Sequence, residues 1–304
     1  MSGIFWPVFS FGAIFIFLVT VIYRLMAISR LPVHLRWELA PIPHERGKGK
    51  YGGSYLEEYE WWRKPRRRSR LAPIIYMLQE IFFMRGIWKN NRPLWPFSSL
   101  LHAGIYLCVI TLFLHIINGL FIITGVPISI LNVFQDITSV LALAGYLAGG
   151  LGALSLILKR RLDINYRTFT TLPMYFRLVF LVAVFGSGIW AWFESGNFAA
   201  AMSSFVKNLF TLNNSATVTV PLSVHIIISL LFIVYLPFTG MLHFIAKYFT
   251  YHAVRWNDEP IDKKMDEKLQ ELINQAADWS APHAGSGKSW AEIASGKTDN
   301  AKET

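Results

Sequence analysis

Residues 221–250 read PLSVHIIISLLFIVYLPFTGMLHFIAKYFT. The run is apolar and longer than the about 20 residues that cross a bilayer, yet it carries two histidines, His225 and His243. On an unbroken helix, eighteen residues make about five turns, so both imidazoles project from one stripe. They lie roughly 27 Å apart along the axis, close to the roughly 30 Å thickness of a hydrocarbon layer. Ionisable groups at membrane depth are expensive and mark function. Two on one stripe, one near each surface, predict two stacked sites facing the inside of a bundle.

The chain around this run has membrane-protein composition: 304 residues, 53% hydrophobic and 16% charged. Four further apolar runs, about 5–27, 99–124, 130–158 and 173–194, join 221–249 as predicted spanning helices. The expected fold is an all-α integral membrane protein with five transmembrane helices. Four form a bundle, which carries the paired sites, and the N-terminal helix flanks it. The first run lacks a basic leader and a small-residue cleavage site, and reads as a retained helix. Along the chain this gives a first helix (1–29), a large loop with an interfacial helix (30–97), the bundle (98–250) and a tail (251–304).

Charge sets the orientation. Of 29 Lys and Arg, 28 fall on one side of this arrangement, fourteen of them in the 30–97 loop, and Lys207 alone falls on the other. The positive-inside rule places that loop and the C-terminus in the cytoplasm and the N-terminus outside. The run RKPRRRSR (63–70) reads as a juxtamembrane patch for anionic lipid, which accounts for the net charge of +10 without nucleic acid. Residues 71–90 place Leu71, Ile74, Ile75, Leu78, Ile81 and Phe82 at helical spacing opposite Gln79 and Arg85, as in a helix lying in the interface. In the tail, 261–277 has helical pattern, and the Gly, Ser, Lys and Ala-rich remainder reads as extended or disordered unless a partner orders it. Its GSGKS (285–289) is no phosphate loop, because Pro282 stands where the pattern needs glycine and no strand precedes it. The single cysteine, Cys108, excludes an intrachain disulfide and a CxxCH haem attachment.

The second spanning run carries His102 and His115, so four of the eight histidines sit at membrane depth on two helices of opposite direction. By topology His102 pairs in level with His243 near the inner surface, and His115 with His225 near the outer. One imidazole from each helix at each level is what axial ligation of a b-type haem requires. Interhelical hydrogen bonding explains a lone membrane histidine better; two matched pairs favour haem. A zinc site lacks HExxH and any Cys or carboxylate partner. A proton-coupled transporter is the alternative in another class, and would show mid-membrane carboxylates or paired broken helices. One conflict stands: His102 and His115 are thirteen apart, some 140° off a common face in a straight helix. A kink at Pro237 or a bulge near Thr111 would reconcile the levels.

Five helices, paired histidines on the second and fifth, and the His225…His243 spacing resemble the gamma (cytochrome b) subunit of respiratory nitrate reductase. The segments PIPHE (41–45), YGGSYLEEYEWW (51–62), NRPLWPFSSLLHAGIYL (91–107) and WSAPHAGSGKSWAEIA (279–294) look like cytochrome b subunits of transmembrane redox complexes in sulfate-reducing bacteria, especially the tetrahaem cytochrome c3 complex. The resemblance implies two haem b groups on His102, His115, His225 and His243. It implies electron transfer across a bacterial inner membrane in sulfate respiration, as a subunit of a quinone oxidoreductase complex. Menaquinone, a periplasmic multihaem cytochrome c and a cytoplasmic iron–sulfur subunit like heterodisulfide reductase are the implied partners. A quinone needs an apolar pocket with groups that bond its oxygens and move protons. At the outer level Asn118, Asn132, Gln135 and Asp136 offer these, with a rival inner site near Arg85, Arg177 and His252.

Overall fold

A computed structural model of the chain describes residues 4–31, 59–60, 69, 71–213, 218–249, 263–280 and 285–295. The segments 41–45 and 51–58, nearly all of the basic run 63–70, and His252 lie outside the described residues. Backbone contacts divide the chain into two units, 1–32 with 38–252, and 33–37 with 253–304.

The first unit is helical throughout its described residues. Helix α1 runs Phe5–Ser29, and two short helices follow the loop, α2 (Leu71–Phe83) and α3 (Arg85–Asn90). The long α4 (Trp95–Thr124) and α5 (Ile128–Leu162) come next. A single turn, α6 (Ile164–Arg167), leads to α7 (Leu172–Glu194) and α8 (Phe198–Phe210). Then come α9 (Val220–Tyr235), two 3-10 turns at Leu236–Phe238 and Gly240–Leu242, and α10 (His243–Lys247). Five of these stretches are long and apolar enough to span a membrane: α1, α4, α5, α7 and Val220–Phe238.

Local chemistry fixes the ends. Proline occupies the first turn of α4, α7 and α9, where its missing N–H costs nothing. Gly125 closes α4 in the left-handed region (φ 72°), and the Val126 amide bonds the Phe121 carbonyl. Asp163 caps α6, accepting from the Asn165 amide at 3.0 Å and from Lys159 Nζ at 2.7 Å. Those two donors, Lys159 first, hold its carboxyl below the usual carboxylate value.

The bundle buries small polar groups within its apolar core and turns large apolar residues outward. Ser98, Thr111, Asn118, Gln135, Thr138 and Ser203 are buried, while α1 and α4 expose leucine, isoleucine and phenylalanine. That distribution suits an apolar solvent and makes this an all-α multi-pass membrane protein. Helices pack in the order α4, α5, α7, α9, with α1 against α9 and α8 laid across α4, α5 and α7. Glycines allow the closest approach. A Cβ on Gly104 of α4 would fall 2.2 Å from the Gly149 nitrogen of α5, and one on Gly152 would fall 2.4 Å from the Leu101 nitrogen. Small residues at such a seam are how membrane helices gain packing without a hydrophobic drive. The α5–α7 seam sets rings over glycines instead, Phe185 on Gly149 and Tyr146 on Gly188.

Three expectations change. The fifth helix is not continuous over 221–249: it breaks at Pro237, and Thr239 is extended (φ −119°, ψ 171°) before Gly240 restarts the turns. His225 and His243 therefore do not share a single helical stripe. The helix expected over 71–90 is two, parted at Met84, whose φ of 45° is left-handed. Its apolar residues Leu71, Ile74, Ile75, Leu78, Ile81 and Phe82 are exposed, as an interfacial helix requires. Gln79 and Arg85, expected on the polar face, bond each other at 2.5 Å. Finally, α8 occupies a stretch with no predicted element. Its signals were present: Asn197 as a cap, its side chain accepting from the Ala200 amide, then Phe198 and Phe205 at helical spacing.

The second unit differs from its expected form as well. Helix α11 (Lys263–Ile273) falls where predicted, and the described residues beyond it, 274–280 and 285–295, take defined structure. Ala276 bridges Ser289, the Trp279 and Trp290 rings lie 5.8 Å apart, and α12 covers Trp290–Ser295. A capping box holds α12: Ser289 N–H donates to Glu292 Oε2 at 2.8 Å, and Glu292 N–H to Ser289 Oγ at 3.3 Å. The GSGKS stretch is a tight turn with Gly287 at φ 84°, its Lys288 amide returning to the Gly285 carbonyl.

Candidate functional site

The histidines lie on α4 (His102 and His115), α9 (His225) and α10 (His243), and α5 and α7 pack in series between α4 and α9. Their four imidazoles fall at two levels, termed inner and outer after the orientation expected from charge.

At the inner level the His102 and His243 rings stand 6.2 Å apart, centre to centre, at 65°. A metal–imidazole bond is about 2 Å and a ring centre lies about 1 Å beyond its nitrogen, so two imidazoles on opposite sides of one metal hold their centres about 6 Å apart. Both rings are oriented alike. His102 Nδ1 lies 2.7 Å from the Ser98 carbonyl and His243 Nδ1 lies 3.1 Å from the Gly240 carbonyl. A carbonyl only accepts, so each Nδ1 carries the proton and each Nε2 keeps its lone pair for a ligand. The chain break at Pro237–Gly240 supplies the carbonyl that orients His243. By contrast α4 is unbroken across Thr111, whose hydroxyl donates to the Cys108 carbonyl at 3.0 Å. The register conflict is therefore met on the fifth span and not on the second.

Charges flank this pair. Glu80 is 5% exposed and accepts from the Gly86 amide and from Lys247 Nζ, both at 3.3 Å. The Arg177 guanidinium lies against Gly240, 2.9 Å from where a Cβ would stand, and its Nε donates to the Pro173 carbonyl. His243 itself is exposed, so the inner level opens to the surface. The only acid of the 71–83 run was the available signal for Glu80, overlooked beside the apolar pattern.

The outer level is enclosed. His115 is 3% and His225 4% exposed. Phe198 of α8 lies 5.7 Å from the His115 ring and 6.2 Å from that of His225, so one phenyl links the two. His225 Nδ1 is 3.1 Å from Ser187 Oγ, and its Nε2 is 2.9 Å from the Tyr146 hydroxyl. Ser187 donates its own proton to the Val184 carbonyl, so it accepts from Nδ1–H, and Tyr146 donates to the Nε2 lone pair. His115 has both ring nitrogens buried without a partner. A buried imidazole left so costs free energy and calls for an explanation.

The quinone candidates divide. Asn118 and Gln135 are buried, whereas Asn132 and Asp136 are exposed on the other side of α5. Asn118 Nδ2 donates to Thr138 Oγ1 at 3.0 Å. Of the rival inner group, Arg85 lies in α3 and Arg177 in α7. Among the described residues no three His, Cys, Asp or Glu side chains group as a metal site; at the inner level each Nδ1 is bonded and each Nε2 is left for a ligand, whereas at the outer level the Nε2 of His225 is bonded by Tyr146. Tyr146, Ser187 and Phe198 went unread in the sequence, because nothing in their spacing separates them from core packing. No family model, curated protein or solved structure matches the chain.

Proposed function

We propose that the chain is a di-haem b membrane subunit that carries electrons across a bacterial inner membrane. It would work within a quinone-linked respiratory complex. The observation that carries this is the inner pair: two imidazoles from two helices, 6.2 Å apart, each with its proton on Nδ1. The orphaned nitrogens of His115 support the same reading one level out. When bound, the haems would supply one-electron carriage, with His102 and His243 holding one and His115 and His225 the other. The chain's own residues do the rest. Ser98, Gly240 and Ser187 set the tautomers of three imidazoles, and Arg177 and Lys247 fit the carboxylates of the inner group. Helix α8 keeps water from the outer histidines. Menaquinone, a periplasmic multihaem cytochrome c and a cytoplasmic heterodisulfide reductase-like iron–sulfur subunit complete the proposal on the resemblance alone.

The test is a reduced-minus-oxidised spectrum with a haem count on the purified chain. Two b-type haems per chain are expected, and none would end the proposal. The broken fifth span favours a second reading, a proton-coupled transporter, since discontinuous helices line transport sites. That protein would show no b-type band.

Orientation is checked separately. The loop at Arg167 is expected in the cytoplasm and the segment at Leu212 outside, from the 28-to-1 division of cations. Reporter fusions at both positions decide it, and a cytoplasmic signal at Leu212 would reverse the inner and outer levels.

A further inference from the structure

Three of the four imidazoles have an acceptor for Nδ1–H: the Ser98 carbonyl, the Gly240 carbonyl and the Ser187 hydroxyl. His115 has none. One helical turn further along α4 stands the complementary orphan. Asn118 is 0% exposed and its Oδ1 is buried without a partner. Its amide cannot be turned round to cure this. Thr138 donates its proton to the Phe134 carbonyl at 2.6 Å, so its oxygen only accepts, and Asn118 must present Nδ2 to it. An unsatisfied donor and an unsatisfied acceptor thus sit at positions i and i+3 of one helix, which are side-chain neighbours. Each alone carries a desolvation penalty, and joining them removes it for both atoms.

We propose that Asn118 is the positioning residue of His115, its Oδ1 taking the Nδ1–H so that Nε2 faces the cofactor. This rests on the haem reading and extends it. Thr138, through Nδ2, fixes the amide, and Phe134, through Thr138, fixes the hydroxyl, giving a relay from α5 to the imidazole on α4. An acceptor on Nδ1–H makes a histidine a stronger donor to its metal. The role therefore shows in the electronic properties of one haem and not merely in stability. It also gives Asn118 a partner other than a quinone oxygen.

The experiment uses the full chain in detergent, with a haem count, a redox titration and electron paramagnetic resonance. The outer haem is identified as the one absent from His115→Ala. Asn118→Leu should raise the midpoint potential of that haem and shift its g-values, with the inner haem unmoved. Asn118→Asp, a stronger acceptor of the same shape, should lower that potential. Opposite shifts support the proposal. If Asn118→Leu keeps the outer haem at its native potential and g-values, the proposal is overturned even when Asn118→Asp shifts, since added charge alone then explains the shift. Should the leucine variant fail to fold, Asn118→Gln replaces it. That amide is displaced by one methylene, and native potential and g-values in it are equally fatal. A wild-type chain with no haem would refute the underlying reading instead.

Discussion

Replacing His243 by alanine is expected to halve the haem content, from two per chain to one, and to leave the same residual spectrum as His102→Ala. The two rings share one level at 6.2 Å, and each keeps its Nε2 lone pair by donating Nδ1–H to a backbone carbonyl. Losing either removes one of two axial bonds, and second-shell damage alone already costs 10–100-fold in metal affinity. His115→Ala and His225→Ala should instead share the complementary spectrum, because both surround Phe198 at the outer level. Haem quantified after extraction, with difference spectra of the four variants, gives the answer. A common spectrum for His102→Ala and His225→Ala would refute pairing by level.

Gly104→Val is expected to abolish both haems together. The new Cβ would stand 2.2 Å from a backbone nitrogen, 2.4 Å from the Gly149 Cα and 2.8 Å from the Gly145 carbonyl oxygen. No rotamer relieves a clash with main chain, so α4 and α5 must separate. Overpacking a core costs roughly 1–3 kcal/mol when side chains can yield, and here about 3 kcal/mol or more is expected. Since α4 carries one histidine for each level, its displacement disturbs both sites at once. Gly186→Ala is the control: nothing lies within 4 Å of its Cβ, and native haem content is expected. A Gly104→Val chain with native haem and native melting temperature would contradict the seam.

The spans were legible because apolar length is a property of sequence alone, and α4, α5 and α7 differ from expectation by only a few residues at their ends. The grouping of His102 with His243 and of His115 with His225 followed from the opposite directions of the two spans. The orientation of the rings did not. Straight-helix arithmetic placed His225 and His243 on one stripe, but Pro237 and Thr239 cut the helix between them, and the carbonyl of Gly240 orients the second ring. A proline announces a break without giving its angle. Phe198 was hidden for another reason. Helix α8 is too short to span and lies between two spans, where attention to membrane length reads only a loop. Asp136 shows what spacing leaves open: it gives a place along the helix, while α5 turns this residue outward and buries Gln135 and Thr138.

The unequal enclosure of the two levels bears on how such a chain is made. His243 is exposed, whereas Phe198, Ser203 and Phe205 of α8 are buried beneath the outer end of the bundle. On the haem proposal, a planar group the width of a porphyrin would reach the exposed His243 in the finished bundle, and would reach the buried His115 and His225 only before α8 has folded down. Biogenesis would then run in a fixed sequence, with the outer group inserted during helix assembly and the inner one afterwards. A cell starved of haem would accumulate chains that are locked out of repair.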